Sequence, residues 1–284
     1  MADDDERMPE SPEVEVLARF LADQAVGQRV ASLELEEFRV LKTRDRRPEE
    51  LQGRTVGSVI RHGKHVELMT DGPHLLISFG RAGWLRVERP GEAVPETDDS
   101  DAVPAAPVAR LAFDDGTTLV FTDAGAWLSL GLSIVDDGAS VPAVAKLGPD
   151  PLAGSFTRAD LDGIAIGRRK QLKALLQEQE SIAGIGNGYS DEILHVARLS
   201  PLRHAADLDD GERDRLFAAI VEVLSGALAQ RSGVPIDRLK AHKAASMRVH
   251  GRTGEACPVC GGAVADIPGS KGTAQYCPVC QTDP

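Results

Sequence analysis

The sequence predicts an α+β protein with an antiparallel β domain ahead of a helical domain. Three observations predict it. The 284 residues correspond to about two domains of ordinary size. Short β-type runs broken by turn residues fill the first half, and helical periodicity takes over from Arg158. All four cysteines stand at the end of the chain, in two C-x-x-C pairs.

The elements follow in order. Residues 1–8 read as a charged, featureless leader. Val14 to Ala25 has apolar positions at helical spacing and follows Ser11-Pro12-Glu13, a helix start. Four β-type runs come next: Ser32 to Val40, Thr55 to Ile60, His65 to Met69 and His74 to Phe79. Asp71-Gly72-Pro73, Gly80 and Gly83 supply turn signals. Glu88 to Pro107 is rich in proline, acid and small residues and reads as an excursion loop. Val108 to Phe113 and Thr117 to Thr122 flank Asp115-Gly116, a hairpin signature. A linker follows at 136–151. Helices are expected over Gln171 to Gln179, Tyr189 to Ala197, Asp209 to Arg231 and Val234 to Ser246. The domain reading is 1–8 leader, 9–135 β domain, 136–151 linker, 152–250 helical domain and 251–284 cysteine-rich end.

No apolar run reaches the ~18 residues of a membrane span. The acidic start, MADDDER, is unlike the basic start of a signal peptide. The expectation is a soluble intracellular monomer that stays off membranes. Taken alone, the net charge of −12 argues against a nucleic-acid partner. Its distribution does not. Residues 1–142 carry 15 basic and 27 acidic residues, whereas residues 143–284 carry 17 of each. Met1 to Arg7 and Glu92 to Asp101 supply −3 and −5 of the total. A local basic groove can coexist with that acidic sum. The candidate clusters are Arg168-Arg169-Lys170 with Lys173, and the stretch Arg238 to Arg252.

Cys257-Pro-Val-Cys260 and Cys277-Pro-Val-Cys280 are separated by 16 residues. Tetrahedral zinc takes two ligands from each of two tight turns, and this spacing provides them. Disulfides or reactive thiols are the alternative, which an intracellular chain disfavours. Four thiolates leave no open position, so one structural zinc per chain is expected.

Ser181 to Pro201 reads SIAGIGNGYSDEILHVARLSP. Glycines and an asparagine between helical segments expose backbone N–H groups that can hold a phosphate. The other reading is a tight helix connection with Tyr189 and Leu194 in the core. Ala183-Gly184-Ile185-Gly186-Asn187, with Tyr189, Asp191, Glu192 and Leu194, resembles the helix–two-turn–helix signature of the formamidopyrimidine-DNA glycosylase / endonuclease VIII family. Four further segments resemble that family in its order: Met8-Pro9-Glu10-Ser11-Pro12-Glu13-Val14-Glu15, Gly63-Lys64 after Arg61, Leu147 to Leu152, and Gln275 to Gln281.

The resemblance implies an N-terminal two-sheet β-sandwich with flanking helices. A helix–two-turn–helix domain ending in a zinc-finger β-hairpin would follow, with DNA in the cleft. It implies a DNA repair glycosylase with AP-lyase activity, acting on oxidised or ring-opened bases in duplex DNA or on abasic sites, and hence a cytoplasmic, nucleoid-associated protein. Pro9 would be the nucleophile, as a secondary amine attacking the sugar C1′. Glu10 would move protons. Lys64 would hold a phosphate or assist acid catalysis; an ordinary surface strand lysine is the plain reading. Asn187 would grip backbone phosphate, with Lys173, Arg169, Lys271 and Arg81 as further DNA contacts. Glu192 reads as a buried hydrogen-bonding residue, and Glu13 as an acid serving the helix dipole.

Three departures from the family pattern stand out. Pro9 follows eight residues, so its nitrogen is an amide unless the product begins there; Met8 offers such a start. Arg81 stands where a wedge methionine is usual, and Thr122 to Leu128 lacks the usual Arg-Arg-Phe, leaving Trp127 as wedge or as core. Lys271 is one residue further from Cys277 than the family's arginine, and it cannot form a bidentate fork. These departures support a rival of another class, a catalytically silent DNA- or lesion-binding protein. A zinc-ribbon interaction module is a third option, but it leaves the first 150 residues unexplained.

Overall fold

A computed structural model describes residues 8–91 and 105–282. The expected leader (Met8 apart) and most of the acidic excursion loop lie outside the described residues. The chain divides into two compact units. Residues 8–13, 146–234 and 239–282 form one, and residues 14–91, 105–145 and 235–238 form the other.

The β unit holds two four-stranded antiparallel sheets. One contains β1 (Val30–Leu35), β5 (Gly83–Glu88), β6 (Pro107–Phe113) and β7 (Thr118–Asp123), in the order β1-β6-β7-β5. The other contains β2 (Val56–His62), β3 (His65–Thr70), β4 (His74–Ser78) and β8 (Gly131–Val135), in the order β2-β3-β4-β8. The Asp115-Gly116 hairpin forms as expected. Phe113 N–H donates to the Thr117 carbonyl at 2.9 Å, and Asp115 Oδ1 accepts Thr117 N–H at 2.8 Å. Along β6, Ala109, Leu111 and Phe113 point inward while Arg110 and Ala112 do not, the two-residue period of a strand. Central β7 buries Leu119, Val120 and Phe121 in succession, because it is covered on both faces.

The structure corrects several sequence expectations. The run Ser32 to Val40 is a strand only to Leu35. Phe38–Val40 is a 3₁₀ turn capped by Glu37, with Phe38 exposed. β5 and β8 carry too few buried side chains in alternation to stand out in the sequence. The 136–151 stretch contains a short helix, α2 (Pro142–Ala145).

Helix α1 (Ser11–Ala25) begins in the helical unit and continues into the β unit. The helical unit also holds α3 (Arg158–Ala165), α4 (Leu172–Leu176), α5 (Asn187–Ala197), α6 (Asp210–Arg231) and α7 (Leu239–Ser246). Thr157 with Asp160 caps α3, and Asp209 with Glu212 caps α6, both reciprocally. The core packs Leu172, Leu175 and Leu176 against Ile185, Tyr189, Ile193, Leu194, Leu216 and Ile220. The expected helix from Val234 to Ser246 is broken. Pro235 cannot continue the hydrogen-bond ladder, and a 3₁₀ turn at Ile236–Arg238 precedes α7. The hairpin β9 (Ala265–Asp266) and β10 (Gln275–Tyr276) closes the chain. Among the described residues, no helix is long and apolar enough to cross a membrane.

Candidate functional site

Helix α5 is buried all round, including Ser190, Asp191, Glu192 and His195. A polar side chain in that position needs a partner. Asp191 accepts from Lys173 Nζ (2.6 Å), His250 Nδ1 (2.8 Å) and Gln275 N–H (3.0 Å). Glu192 accepts the backbone N–H groups of Arg248, Val249 and His250 at 2.9–3.1 Å, the hydrogen-bonding role expected of it. His195 Nε2 lies 3.2 Å from Cys257 Sγ. The helix therefore fixes the segments that surround it.

The turn before α5 does offer its amides to an anion, and the anion is the Glu10 carboxylate. Glu10 accepts from Gly186 N–H, from Gly188 N–H at 3.0 Å and from Tyr189 N–H at 3.4 Å. An anion at a helix N-terminus is favoured by the unpaired amides and the dipole. Two glycines allow the approach. A Cβ on Gly188 would lie 3.1 Å from Glu10 Oε1. Gly184, at φ +88°, meets Ser11, where a Cβ would come within 2.5 Å of the serine Cβ. Ser11 N–H donates to the Gly184 carbonyl at 3.0 Å, which ties the start of α1 to this turn.

Glu10 sits in a buried charge cluster. Lys243 Nζ donates to Glu10 Oε1 at 3.0 Å and to the Met8 carbonyl at 2.8 Å, and lies 3.8 Å from Glu13 Oε2. Arg231 Nε lies 2.5 Å from Glu13 Oε1, as an ion pair rather than an aligned hydrogen bond. The guanidinium is anchored by the Ala227 carbonyl and Ser246 Oγ. Glu13 also accepts Tyr189 OH at 2.6 Å and Glu10 N–H at 3.1 Å, so it serves the helix start and the cluster at once. Burial, and then the Glu13 carboxylate, hold the Tyr189 phenol well above its usual pKa, so it stays a donor. Pro9 is buried beside this cluster. Breaking a buried pair by removing one partner typically costs about 3–5 kcal/mol.

The other sequence-predicted residues of this unit divide into two groups. Lys173 spends its three protons on the Asn187 carbonyl (3.1 Å), Ser190 Oγ (2.9 Å) and Asp191 Oδ1 (2.6 Å). Arg168 and Lys170 both pair with Glu178 at 2.5 Å, which holds that carboxyl at about 2. Arg169 is exposed. The second basic stretch, Arg238 to Arg252, is partly internal: Lys243 is 2 % exposed, and Arg252 bonds to the Met247 carbonyl. Both stretches are thus less of a free basic surface than the sequence implies. Asn187, the first residue of α5, donates from Nδ2 to the Thr273 carbonyl and accepts Gln177 Nε2 at 3.0 Å. Lys271 is exposed in the same finger loop, in a left-handed conformation (φ +55°).

The four cysteine sulfurs lie within 4.8 Å of one another, with Cys257–Cys280 at 3.9 Å and Cys260–Cys277 at 3.4 Å. Zinc–thiolate bonds of about 2.3 Å in a tetrahedron require sulfurs about 3.8 Å apart. The donor set fits such an ion. Gln281 accepts Cys277 N–H at 2.8 Å and donates to the Leu199 carbonyl, which pins the second knuckle to the helical unit.

The β unit carries Lys64 and Arg81. Lys64 is in the turn between β2 and β3 rather than within a strand, after Gly63 at φ +56°. Arg61 donates to the Gly63 carbonyl at 3.0 Å and to Glu15 at 2.8 Å, which fixes that turn on α1. Arg81 is exposed after β4. The backbone amides of Arg81 and Ala82 both donate to Ser129 Oγ, at 3.0 and 3.1 Å. Asp123 in turn accepts from Gly125, Ser129 and Leu130. Two loops far apart in sequence are thereby joined, and Trp127 projects from them at 87 % exposure. The core-packing reading of Trp127 is ruled out.

Sequence reasoning missed Lys243, Arg231 and His195. One signal existed for Lys243. It falls four residues after Leu239 and four before Met247, so a cation occupies the buried face of α7.

A helix–two-turn–helix unit with a proline–glutamate start on its helix N-terminus, a four-thiolate finger and a separate two-sheet unit define the scaffold of a DNA glycosylase. Residues 8–127 match the formamidopyrimidine-DNA glycosylase N-terminal domain, and residues 147–237 match the formamidopyrimidine-DNA glycosylase H2TH domain. The chain belongs to the formamidopyrimidine-DNA glycosylase family. It is 34 % identical over 280 residues to the formamidopyrimidine-DNA glycosylase of Geobacter metallireducens, covering 97 % of this chain and all of that one. It is 42 % identical over 144 residues to an uncharacterized formamidopyrimidine-DNA glycosylase-like protein of Mycobacterium tuberculosis, covering 51 % of this chain and 90 % of that one. Among solved structures it is similar to MutM in complex with carbocyclic 8-oxo-G containing DNA (TM-score 0.82, 26 % identity, covering 97 % of this chain and 100 % of that one). It is also similar to Lactococcus lactis Fpg with N7-benzyl-Fapy-dG containing DNA (TM-score 0.83, 25 % identity, 97 % and 100 % covered).

Proposed function

We propose that the chain excises oxidised or ring-opened bases from duplex DNA and then cleaves the strand at the abasic site, through a Schiff base on Pro9. The observation that carries this reading is the placement of Glu10. Its carboxylate is held on the N-terminal amides of α5, one residue from Pro9. A proton-transferring acid and the proline that would supply the amine are adjacent in the chain and share one buried site.

The chemistry follows from the amine. With Pro9 as the chain end, its nitrogen lone pair attacks the sugar C1′ and the glycosidic bond breaks. The base leaves with the bonding electrons and takes up a proton, the attacking nitrogen gives up its own, and a closed-ring aminal remains on C1′. It becomes an iminium ion when the C1′–O4′ bond breaks and O4′ leaves protonated. Glu10 moves the protons that open the sugar ring. Loss of the C2′ proton then expels the 3′ phosphate. Lys64 and Lys271 act on phosphates near the lesion. Asn187 and Arg169 grip the backbone, and Lys173 holds the Asn187 turn. Arg81 fills the space of the displaced base. One structural zinc on Cys257, Cys260, Cys277 and Cys280 holds the finger. With DNA as its substrate, the protein would act at the nucleoid; it is read as a monomer.

One observation favours a second reading. In the 284-residue chain the Pro9 nitrogen is bonded to the Met8 carbonyl, whose oxygen accepts from Lys243 at 2.8 Å. An amide nitrogen has a delocalised lone pair and does not attack. This form would bind DNA without cutting it. Borohydride trapping on an abasic-site duplex, run with protein beginning at Met1 and at Pro9, separates the two. Trapping by the Pro9 form alone supports the enzyme. Equal trapping by both forms removes Pro9 as the nucleophile. No trapping and no excision by either leaves the silent DNA-binding protein.

A further inference from the structure

Lys243 is an unusual residue for its place. The residue is 2 % exposed, one turn after buried Leu239 on α7 and ahead of buried Met247, which follows the helix. It is held at one point by three acceptors: the Met8 carbonyl, Glu10 and, at longer range, Glu13. The face of the Tyr189 ring covers it at 5.1 Å. Covalent geometry locates it relative to the reacting atom. The Met8 oxygen and the Pro9 nitrogen share one carbonyl carbon, so they are about 2.3 Å apart. Lys243 Nζ therefore lies within about 5 Å of the proline nitrogen.

We propose that Lys243 is a positioning residue for the amine chemistry, whose fixed positive charge keeps a chain-terminal Pro9 nitrogen unprotonated and its lone pair available. The inference rests on the reading of Pro9 as nucleophile. Its physical basis is a charge count. The groups facing this point are Glu10 and Glu13 from α1, Tyr189 from α5, Arg231 from α6 and Lys243 from α7. His250, paired with Asp191, borders Gly188. The two carboxylates are already matched by Lys243 and Arg231, and the Tyr189 phenol is neutral. A proline ammonium would be a third cation against two anions, with a lysine ammonium as its neighbour. Like charge at this range disfavours the charged form, so the amine loses its proton at a lower pH. Without Lys243, Glu10 would take the proline ammonium as its counter-ion, and the amine would hold its proton to a higher pH.

The test uses protein beginning at Pro9, which removes a single described residue, Met8. Trapping rates on an abasic-site duplex are measured from acid to mildly alkaline pH for the unchanged protein, Lys243→Gln and Lys243→Arg. The expected result is an acid limb moved upward by about one pH unit or more in Lys243→Gln, with the rate recovering at high pH. In Lys243→Arg, which keeps the charge, the limb stays in place. If Lys243→Gln does not melt cooperatively, Lys243→Met fills the same space without charge and gives the same comparison. An unmoved limb in the uncharged variants overturns the proposal, as does a loss of trapping equal at every pH, the signature of a purely structural lysine. Either result leaves Pro9 as nucleophile intact. Failure of the unchanged Pro9 form to trap at any pH overturns the Schiff-base reading itself, and this proposal with it.

Discussion

Asp191 Oδ2 accepts the backbone N–H of Gln275 at 3.0 Å, so the cysteine hairpin is hydrogen-bonded to the helix that begins with Asn187. Asn187 itself donates to the Thr273 carbonyl in the same hairpin. The finger and the helix N-terminus thus form one continuous surface. Disturbing either should disturb the other.

Cys277→Ser should release one zinc per chain and lower affinity for duplex DNA about tenfold or more, because the loop from Ile267 to Ala274 loses its anchor. The β unit should keep its own melting behaviour, since its strands do not depend on the metal. Metal analysis of chelator-free protein, with binding curves for both forms, checks this. Absence of metal in the unchanged protein would remove the zinc assignment.

Asn187→Ala should weaken binding to damaged and undamaged duplex by a similar factor. A hydrogen bond to a charged phosphate is worth about 1.5–3 kcal/mol, roughly tenfold or more in affinity. Phosphate contacts carry no base information, so the ratio between the two duplexes should hold. Binding of the unchanged protein should fall steeply with salt as counterions are released. A loss confined to damaged duplex would assign Asn187 to lesion reading instead.

Trp127 should fluoresce as a solvent-exposed indole and become protected from iodide on binding abasic duplex. Trp127→Ala should slow base removal more than it weakens binding to undamaged DNA, if the indole stacks where a displaced base leaves a gap. Asp123→Ala should reproduce part of this effect by releasing the amides of Gly125, Ser129 and Leu130. Full iodide access in the complex would place Trp127 away from DNA.

Glu67 gives the β unit an acid-sensitive tie. It accepts from His62 (2.7 Å), His74 (2.6 Å) and the Gly138 amide (2.8 Å). Burial raises its pKa, but the His74 and His62 bonds and the Gly138 amide outweigh this, and the net shift is downward. A depressed carboxyl contributes stability that is present above its unfolded pKa of about 4.3 and is lost as pH falls through the folded value. Thermal melting should therefore decline more steeply below about pH 4.3 in the unchanged protein than in Glu67→Gln. Parallel pH profiles would show that the tie does not contribute.

The sequence determined the features that depend on local spacing. The C-x-x-C pairs, the Asp115-Gly116 hairpin, the Ser11-Pro12-Glu13 helix start and the glycine turn before Asn187 were all legible, because each is set by residues a few positions apart. The order of family segments was legible for the same reason. Tertiary structure alone decided where charges end. Lys173 and Lys243 read as surface cations, yet Lys173 is partly buried and Lys243 fully buried, each on a carboxylate brought from a segment 18 and 233 residues away respectively. The anion on the α5 amides proved to be Glu10, at a separation of 178 residues from Gly188. Trp127 read equally as core or as wedge until the Asp123 bonds fixed its loop outward. Periodicity reports which side of an element is apolar. It cannot report which distant group satisfies a buried charge, because that is set by how segments pack and not by their own sequence.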